Sequence, residues 1–261
     1  MLGCQQGKIS KIEGQTCKID TEELDTLAQF YKLSASKTAE LRELHQNSTV
    51  PQKTPGYPLH TPEFARLVSV ETDAQEILSW HSERIPGPLQ HLRYMSKQLE
   101  LDQPDNRQFV AAAYAARKSR LNIFTVERPP RYRVILSESS IHRMPGGSRE
   151  LAIDQIKNLL DLVTRYEQFE LRIIPFSANL PYADSDFAVL RFPPELAESG
   201  SHDDFVYLEH RGGGEILKDL SKFVEYWDHT LTKAALGCDE TVVFLSRRMD
   251  ELSKSRSVSW Q

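Results

Sequence analysis

Residues 131–176 read RYRVILSESSIHRMPGGSRELAIDQIKNLLDLVTRYEQFELRIIPF, and the fold class follows from this stretch. Apolar and polar residues alternate over residues 132–136, which is typical of a half-buried strand. Residues 148–166 carry apolar side chains three and four positions apart, which predicts an amphipathic helix. Residues 171–176 form a short apolar run that Pro175 bounds near its carboxyl-terminal end. Short apolar runs bounded in this way are typical of strands, so these residues predict a second strand. The stretch therefore predicts a strand, a helix and a strand.

Further strands follow closely on the carboxyl-terminal side. Residues 187–192, 205–209 and 215–217 are short apolar runs bounded by Pro, Asp or Gly, and Gly212, Gly213 and Gly214 predict a tight turn. Two amphipathic segments, residues 223–236 and 239–252, predict closing helices. One helix followed by several closely spaced strands favours an α+β body whose helices pack on a largely antiparallel sheet.

The segment before residue 131 is predicted to be helical. Thr61 is a suitable N-cap for a helix that runs to about Arg84 and ends at Ile85-Pro86-Gly87-Pro88, and residues 105–121 predict another helix. The polar, proline-rich residues 46–62 cannot bury a core and predict a linker. We therefore expect a helical segment over residues 1–45, the linker, a body over residues 63–252 and a flexible tail over residues 253–261.

The composition of the chain restricts its class. The 261 residues carry a formal net charge of −5, and no run approaches the roughly 20 apolar residues that span a membrane. The amino terminus has no apolar run typical of a signal peptide. The three cysteines are scattered, which favours a reducing compartment over a disulfide framework or a zinc site. We expect a cytoplasmic protein with no membrane association and no cofactor.

The amino-terminal segment carries a pattern of its own. Residues 8–13, Lys-Ile-Ser-Lys-Ile-Glu, precede a helix that Asp20 can cap, with Glu23 in the capping-box position. The pattern resembles the second half of a Cro/C1-type helix-turn-helix, whose recognition helix enters the major groove of DNA. The resemblance implies that Met1 lies almost on the recognition helix, so that the first half of the domain is missing. By this match the DNA-facing residues are Gln5, Gln6, Gly7, Lys8, Ser10 and Lys11.

The body also resembles a known domain. Ile85-Pro86-Gly87-Pro88-Leu89-Gln90, the strand that ends in Ser137-Glu138, Pro145-Gly146-Gly147 and the strand Phe205–His210 occur in the order of a domain of unknown function. That domain follows a Cro/C1-type helix-turn-helix in many regulators of high-GC Gram-positive bacteria. The resemblance implies a domain that senses an effector or a partner.

A pocket is predicted where the Pro86-Gly87 corner meets the strand ends. We expect Glu138 and Glu209 to end neighbouring strands, with Arg117 as the natural partner of either one. A purely structural Arg–Glu pair explains the same residues equally well. The predicted pocket residues are Gln90, Tyr94, Arg117, Glu138 and Glu209.

Catalytic chemistry has weaker support. Glu209 and His210, together with Glu138 and His142, suggest a metal or acid–base site, but strand-end carboxylates that satisfy backbone groups explain them as well. Ser137 and its neighbours lack the Gly-x-Ser-x-Gly elbow of a serine nucleophile. No convincing catalytic constellation is present, so we do not expect an enzyme.

These observations predict a transcriptional regulator. Its amino terminus would bind a double-stranded DNA operator, as a homodimer on two half-sites, and its body would respond to a small-molecule effector or a small protein partner. The alternative is a truncated descendant that no longer binds DNA and acts through its body as a small-molecule binder or an enzyme.

Overall fold

A computed structural model of the chain describes residues 19–35, 37–39, 41–42, 45, 61–102, 104–179, 185–198, 202–210 and 213–254. The chain divides into two compact units, Met1–Thr54 and Pro55–Gln261. The predicted DNA-facing residues, most of the predicted linker, and the tail beyond residue 254 lie outside the described residues. Residues 253 and 254 belong to the last helix.

The amino-terminal unit contains helix α1, Thr21–Phe30. Its start is capped reciprocally, because the Asp20 side chain accepts from the Glu23 backbone N–H at 2.8 Å and the Glu23 carboxylate accepts from the Asp20 N–H at 3.1 Å. Residues 35, 37–39, 41–42 and 45 are also helical. Arg42 forms an ion pair with Asp25 at 2.8 Å, which connects this second helical stretch to α1.

The larger unit is built on a six-stranded sheet. Its strands are β1, Glu76–His81; β2, Arg131–Ser137; β3, Phe169–Ile174; β4, Asp186–Arg191; β5, Phe205–His210; and β6, Gly213–Leu217. Their spatial order is β3-β2-β1-β4-β5-β6. The pairs β1–β2 and β2–β3 are parallel, and the pairs β1–β4, β4–β5 and β5–β6 are antiparallel. The predicted α+β class is confirmed, with a mixed sheet in which antiparallel pairs outnumber parallel ones.

Helices lie against both faces of the sheet. They are α2, Pro62–Val70; α3, Leu92–Asp102; α4, Arg107–Ser119; α5, Glu138–His142; α6, Arg149–Arg165; α7, Pro194–Glu198; α8, Ser221–Lys233; and α9, Cys238–Lys254. Buried residues of α2, α3, α6 and α9 pack with one face, where Leu136 and Ile156 are fully buried. Trp227 of α8 packs with Trp80 and Phe187 on the other face. The apolar residues of α8 therefore pack inward on the sheet.

The prediction of one helix from Thr61 to about Arg84 is wrong. Thr61 does cap α2, accepting from the Phe64 N–H at 3.3 Å, but the helix ends at Val70. The chain then turns and forms β1. Strand β1 pairs on both sides and is buried from Ile77 to His81, so its sequence lacks the period-two alternation that marks a half-exposed strand.

The chain between β1 and α3 forms a corner that is bonded from behind by α6. Gln155 of α6 is fully buried; its side chain accepts from the His91 N–H at 2.7 Å and donates to the Leu89 carbonyl at 2.8 Å. Asn158 donates to the same carbonyl at 2.9 Å. Within the corner, the Gln90 amide donates to the Ile85 carbonyl at 2.7 Å. These bonds satisfy backbone groups that no sheet or helix reaches.

We expect Gln155→Ala to destabilise the domain by about 1–3 kcal/mol, because it leaves the partly buried His91 N–H without this acceptor and removes the packed atoms of a fully buried side chain. Chemical denaturation monitored by circular dichroism measures the free energy of unfolding. Lys157→Ala, on the exposed side of the same helix, is the matched control and should change that free energy by less than about 0.5 kcal/mol. Equal effects of the two substitutions would contradict the role of Gln155.

Candidate functional site

Three titratable residues form a row across one end of the sheet. His81 is the last residue of β1, Asp186 is the first of β4, and Glu209 lies near the end of β5. Asp186 is the cross-strand partner of Glu209, and His81 lies one step beyond the pair that Trp80 forms with Phe187. The antiparallel register therefore places the three side chains on the same face.

Asp186 is held as a carboxylate by its neighbours. The His81 Nδ1 atom lies 3.4 Å from one oxygen, and the Ser82 N–H and Oγ–H both donate to the other, at 2.9 and 2.7 Å. Burial alone would raise the pKa of Asp186, but the bonds from His81 and Ser82 outweigh it and lower this pKa to about 2. The anionic form is thus the stable one in the folded protein.

Two arginines balance the other carboxylates. Arg84 lies 2.9 Å from Glu209 through Nη2. Arg120 donates through Nε and Nη2 to the two oxygens of Glu71, each at 2.8 Å, and both side chains of this pair are nearly buried. Burial alone would lower the pKa of Arg120, but the adjacent Glu71 carboxylate raises it. Arg120 therefore keeps its positive charge in this buried position.

Glycine 87 makes room for one of these arginines. A Cβ atom on Gly87 would lie 2.7 Å from Nη1 of Arg120, which is closer than van der Waals contact allows. The guanidinium therefore lies directly against the backbone of the corner. Its central carbon also lies 5.3 Å from the ring centre of Phe64, within the range of a cation–π contact.

These groups surround an open cleft between α2, the corner and the ends of β1, β4 and β5. A second hollow adjoins it beneath the corner and shares several of its lining residues. Phe64, Leu67, Pro86 and Tyr207 provide apolar walls. The charged side chains that line one or both hollows are Glu71, Arg84, Arg117, Arg120, Asp186 and Glu209, together with His81.

The structure brings together three of the five predicted pocket residues. Gln90, Arg117 and Glu209 line the hollow beneath the corner. Tyr94 lies behind the corner, where its buried hydroxyl accepts from the Ile85 N–H at 3.3 Å. The predicted partnership of Arg117 with Glu209 is not the one observed, since Arg84 forms the ion pair with Glu209.

The prediction that Glu138 and Glu209 end neighbouring strands is wrong. Strands β1 and β4 lie between β2 and β5, and Glu138 begins helix α5 instead of ending β2. One oxygen of Glu138 accepts from the Phe176 N–H at 2.7 Å, and the other lies 3.1 Å from His142 Nε2. Glu138 therefore serves the local backbone, as the structural alternative predicted.

The metal site considered from the sequence does not form among the described residues. Glu138 pairs with His142, Glu209 pairs with Arg84, and His210 is exposed at the end of β5. In the part of the chain that the structure describes, no three His, Cys, Asp or Glu side chains come close enough to hold a metal ion.

Sequence reasoning missed the residues that define this cleft. His81 and Arg84 were placed in a helix, and neither Asp186 nor Arg120 was singled out. The contacts are long-range: 104 residues separate Ser82 from Asp186, and 49 separate Glu71 from Arg120. The one available signal was the Ile85-Pro86-Gly87 corner, which ends the segment carrying His81 and Arg84.

The larger unit is a domain whose class is defined by its match to a family model. The chain belongs to the family described as domain of unknown function DUF5753, whose model matches residues 64–247. Every residue that lines the cleft lies within this range. No curated protein and no solved structure matches the chain. None of the helices in the described ranges is both long and apolar enough to cross a bilayer.

The lowered pKa of Asp186 predicts a pH dependence of stability. An aspartate has a pKa of about 3.9 in the unfolded chain, so the folded state favours its ionised form by about 2 kcal/mol. This stability is present above about pH 5 and is lost as the pH falls toward 2. Urea denaturation between pH 6 and pH 3 should therefore show a shallower loss of stability in Asp186→Asn than in the wild type.

Asp154→Asn is the matched control, because Asp154 pairs with Arg93 on an exposed part of the surface. Its pH profile should follow that of the wild type closely. Parallel profiles for the wild type and Asp186→Asn would contradict a stabilised carboxylate at position 186.

Proposed function

We propose that this protein is a transcriptional regulator in which the amino-terminal unit binds DNA and the DUF5753 domain binds an effector. The observation that carries the proposal is the cleft at the end of β1, β4 and β5, where seven ionisable side chains line one concave surface. Clefts with convergent polar groups and apolar walls are the usual location of small-molecule sites.

Burial of the ionisable groups in this cleft costs desolvation free energy. Arg120 and Glu71 are 11% and 4% exposed, and His81 and Asp186 are 9% and 10% exposed. Moving charged pairs out of water is rarely repaid by their attraction alone, and replacement by apolar residues is often neutral or stabilising. The nearly buried Glu71–Arg120 ion pair lies in one open cleft with the nearly buried His81–Asp186 contact. This arrangement favours a binding site, because a scaffold would reach the same stability with apolar packing.

DNA binding is supported by the sequence. The run Lys8-Ile9-Ser10-Lys11-Ile12-Glu13 resembles a Cro/C1-type recognition helix, and the capped helix Thr21–Phe30 follows it at the spacing of that family. The amino-terminal residues and the DUF5753 domain belong to separate compact units. This division suits a regulator in which one unit binds DNA and the other binds an effector. The compartment that fits such a regulator is the cytoplasm.

The second candidate is a domain that acts without DNA, as a small-molecule binder or an enzyme. One observation favours it. Asp186 lies beside Nδ1 of His81, as a carboxylate does when it orients an imidazole for proton transfer, and His81 lines both hollows. A measurement of DNA binding separates the two candidates.

We expect the full chain to select a DNA sequence from a random pool, and Gln6→Ala to weaken binding to that sequence by about 1–3 kcal/mol, because glutamine can contact adenine through two hydrogen bonds. Fluorescence anisotropy at fixed salt measures both affinities. Gln46→Ala, in the predicted linker, is the matched control and should bind like the wild type. The same loss on every DNA sequence would show that Gln6 contacts only phosphate, and selection of no sequence would favour the second candidate.

We also expect a dimer. Helix-turn-helix proteins of this type bind two half-sites about one helical turn apart, and this spacing requires two copies of the reading helix. The dimer surface is not expected on α8, because its apolar residues pack on the sheet. Sedimentation equilibrium at micromolar concentration, with and without the selected DNA, measures the mass. A monomer under both conditions would contradict this prediction.

A further inference from the structure

The groups lining the cleft have more free donors than free acceptors. Arg84 uses only Nη2, Arg120 uses Nε and Nη2, and His81 uses only Nδ1 in contacts within the described part of the chain. Arg84 Nε and Nη1 and Arg120 Nη1, which together carry five N–H bonds, thus remain for a ligand. Against them stand three acceptors: the second oxygen of Glu209, the buried Oε1 of Gln90, and His81 Nε2, which carries a lone pair when Nδ1 donates its N–H to Asp186.

The carboxylates of the cleft are already compensated. Glu71 is bonded to Arg120 through both oxygens, Asp186 to Ser82 and His81, and Glu209 to Arg84. A cationic ligand would have to displace one of these basic partners before it could bind a carboxylate. An anionic ligand displaces none of them, because it adds to nitrogens that have no acceptor among the described residues.

The apolar residues that line the cleft indicate which kind of molecule carries the anionic group. Phe64 and Tyr207 stand with their ring centres 6.3 Å apart, and Pro86 closes the same side of the cleft. The Arg120 guanidinium lies over the Phe64 ring. An apolar ring packed against this wall would bring an attached oxyanion to the guanidinium groups, whose planar geometry suits carboxylate and phosphate oxygens.

We propose that the cleft binds a small ring-bearing organic molecule through its carboxylate or phosphate group, with Arg84 and Arg120 as the donors to the anion. This inference rests on the proposed function in that it names the chemical class of the effector. It requires only that the cleft take up the ligand, so it can be tested without DNA.

The test is titration calorimetry on the full chain with three probes: benzoate, phenyl phosphate, and benzamide as the uncharged analogue of benzoate. We expect benzoate or phenyl phosphate to bind with a dissociation constant below about 10 mM, and benzamide to bind at least about tenfold more weakly. Comparison of the two anions identifies the preferred oxyanion. If neither anion binds, or if benzamide binds as well as benzoate, the proposal is wrong.

Two substitutions locate the site. Arg84→Gln should weaken anion binding by about tenfold or more, and Gly87→Ala should weaken it because the new Cβ must displace Nη1 of Arg120. Arg93→Gln is the matched control, since Arg93 also forms one exposed ion pair, with Asp154 at 2.7 Å, but lies outside the cleft lining. Thermal melting checks that each variant is folded.

Wild-type affinity in both Arg84→Gln and Gly87→Ala, with both variants folded, would overturn the assignment to this cleft. Adding the bound anion to the DNA-binding assay separates the two proposals. An anion that binds in the cleft without changing DNA affinity supports this inference and counts against effector control. If the chain binds DNA but neither anion binds, the proposed regulator function is retained and the proposed ligand class is wrong.

Discussion

The position of β1 in the middle of the sheet is the constraint on which the larger unit depends. It pairs in parallel with β2 and antiparallel with β4, so it joins the parallel half of the sheet to the antiparallel half. Every residue from Ile77 to His81 is buried as a result. Where β1 ends, the chain leaves the sheet as the Ile85–Gln90 corner. The cleft therefore lies where the central strand ends, level with the first residue of β4.

Charge balance explains how this point tolerates so many ionisable groups. Asp186 and Glu209 are directly opposed across β4 and β5, an arrangement that destabilises a sheet when both side chains are ionised. His81 and Ser82 stabilise the first carboxylate and Arg84 the second. Each acid thus has its own partner, which leaves the outer nitrogens of the basic residues as the groups that a ligand would meet.

The corner is held rigidly from the side opposite the cleft. Gln155 and Asn158 of α6 bond the Leu89 carbonyl, and the Tyr94 hydroxyl accepts from the Ile85 N–H. Gly87 then presents bare backbone to Arg120. Because the backbone of the corner is fixed by these hydrogen bonds, the Arg120 guanidinium that packs against it is held in place before a ligand binds. Such preorganisation lowers the entropic cost of binding.

The sequence by itself determined the elements whose signal is local. The helix Arg149–Arg165 follows from apolar side chains at helical spacing. The strand that begins at Arg131 follows from alternating apolar and polar residues, and the strand that begins at Phe205 follows from a short apolar run. Two pocket residues, Gln90 and Glu209, could be predicted because they adjoin the corner or a strand end. Periodicity, capping and turn chemistry act over a few residues, so they can be read from the chain directly.

Only the tertiary structure decided β1, the strand order and the partners within the cleft. β1 is buried on both faces, so its sequence lacks the period-two alternation that would have distinguished it from a helical segment. The insertion of β1 and β4 between β2 and β5 separated Glu138 from Glu209, and the register placed His81 beside Asp186. Such pairings join residues about a hundred positions apart. They depend on how the whole sheet buries its apolar side chains, and no local sequence pattern reports on that.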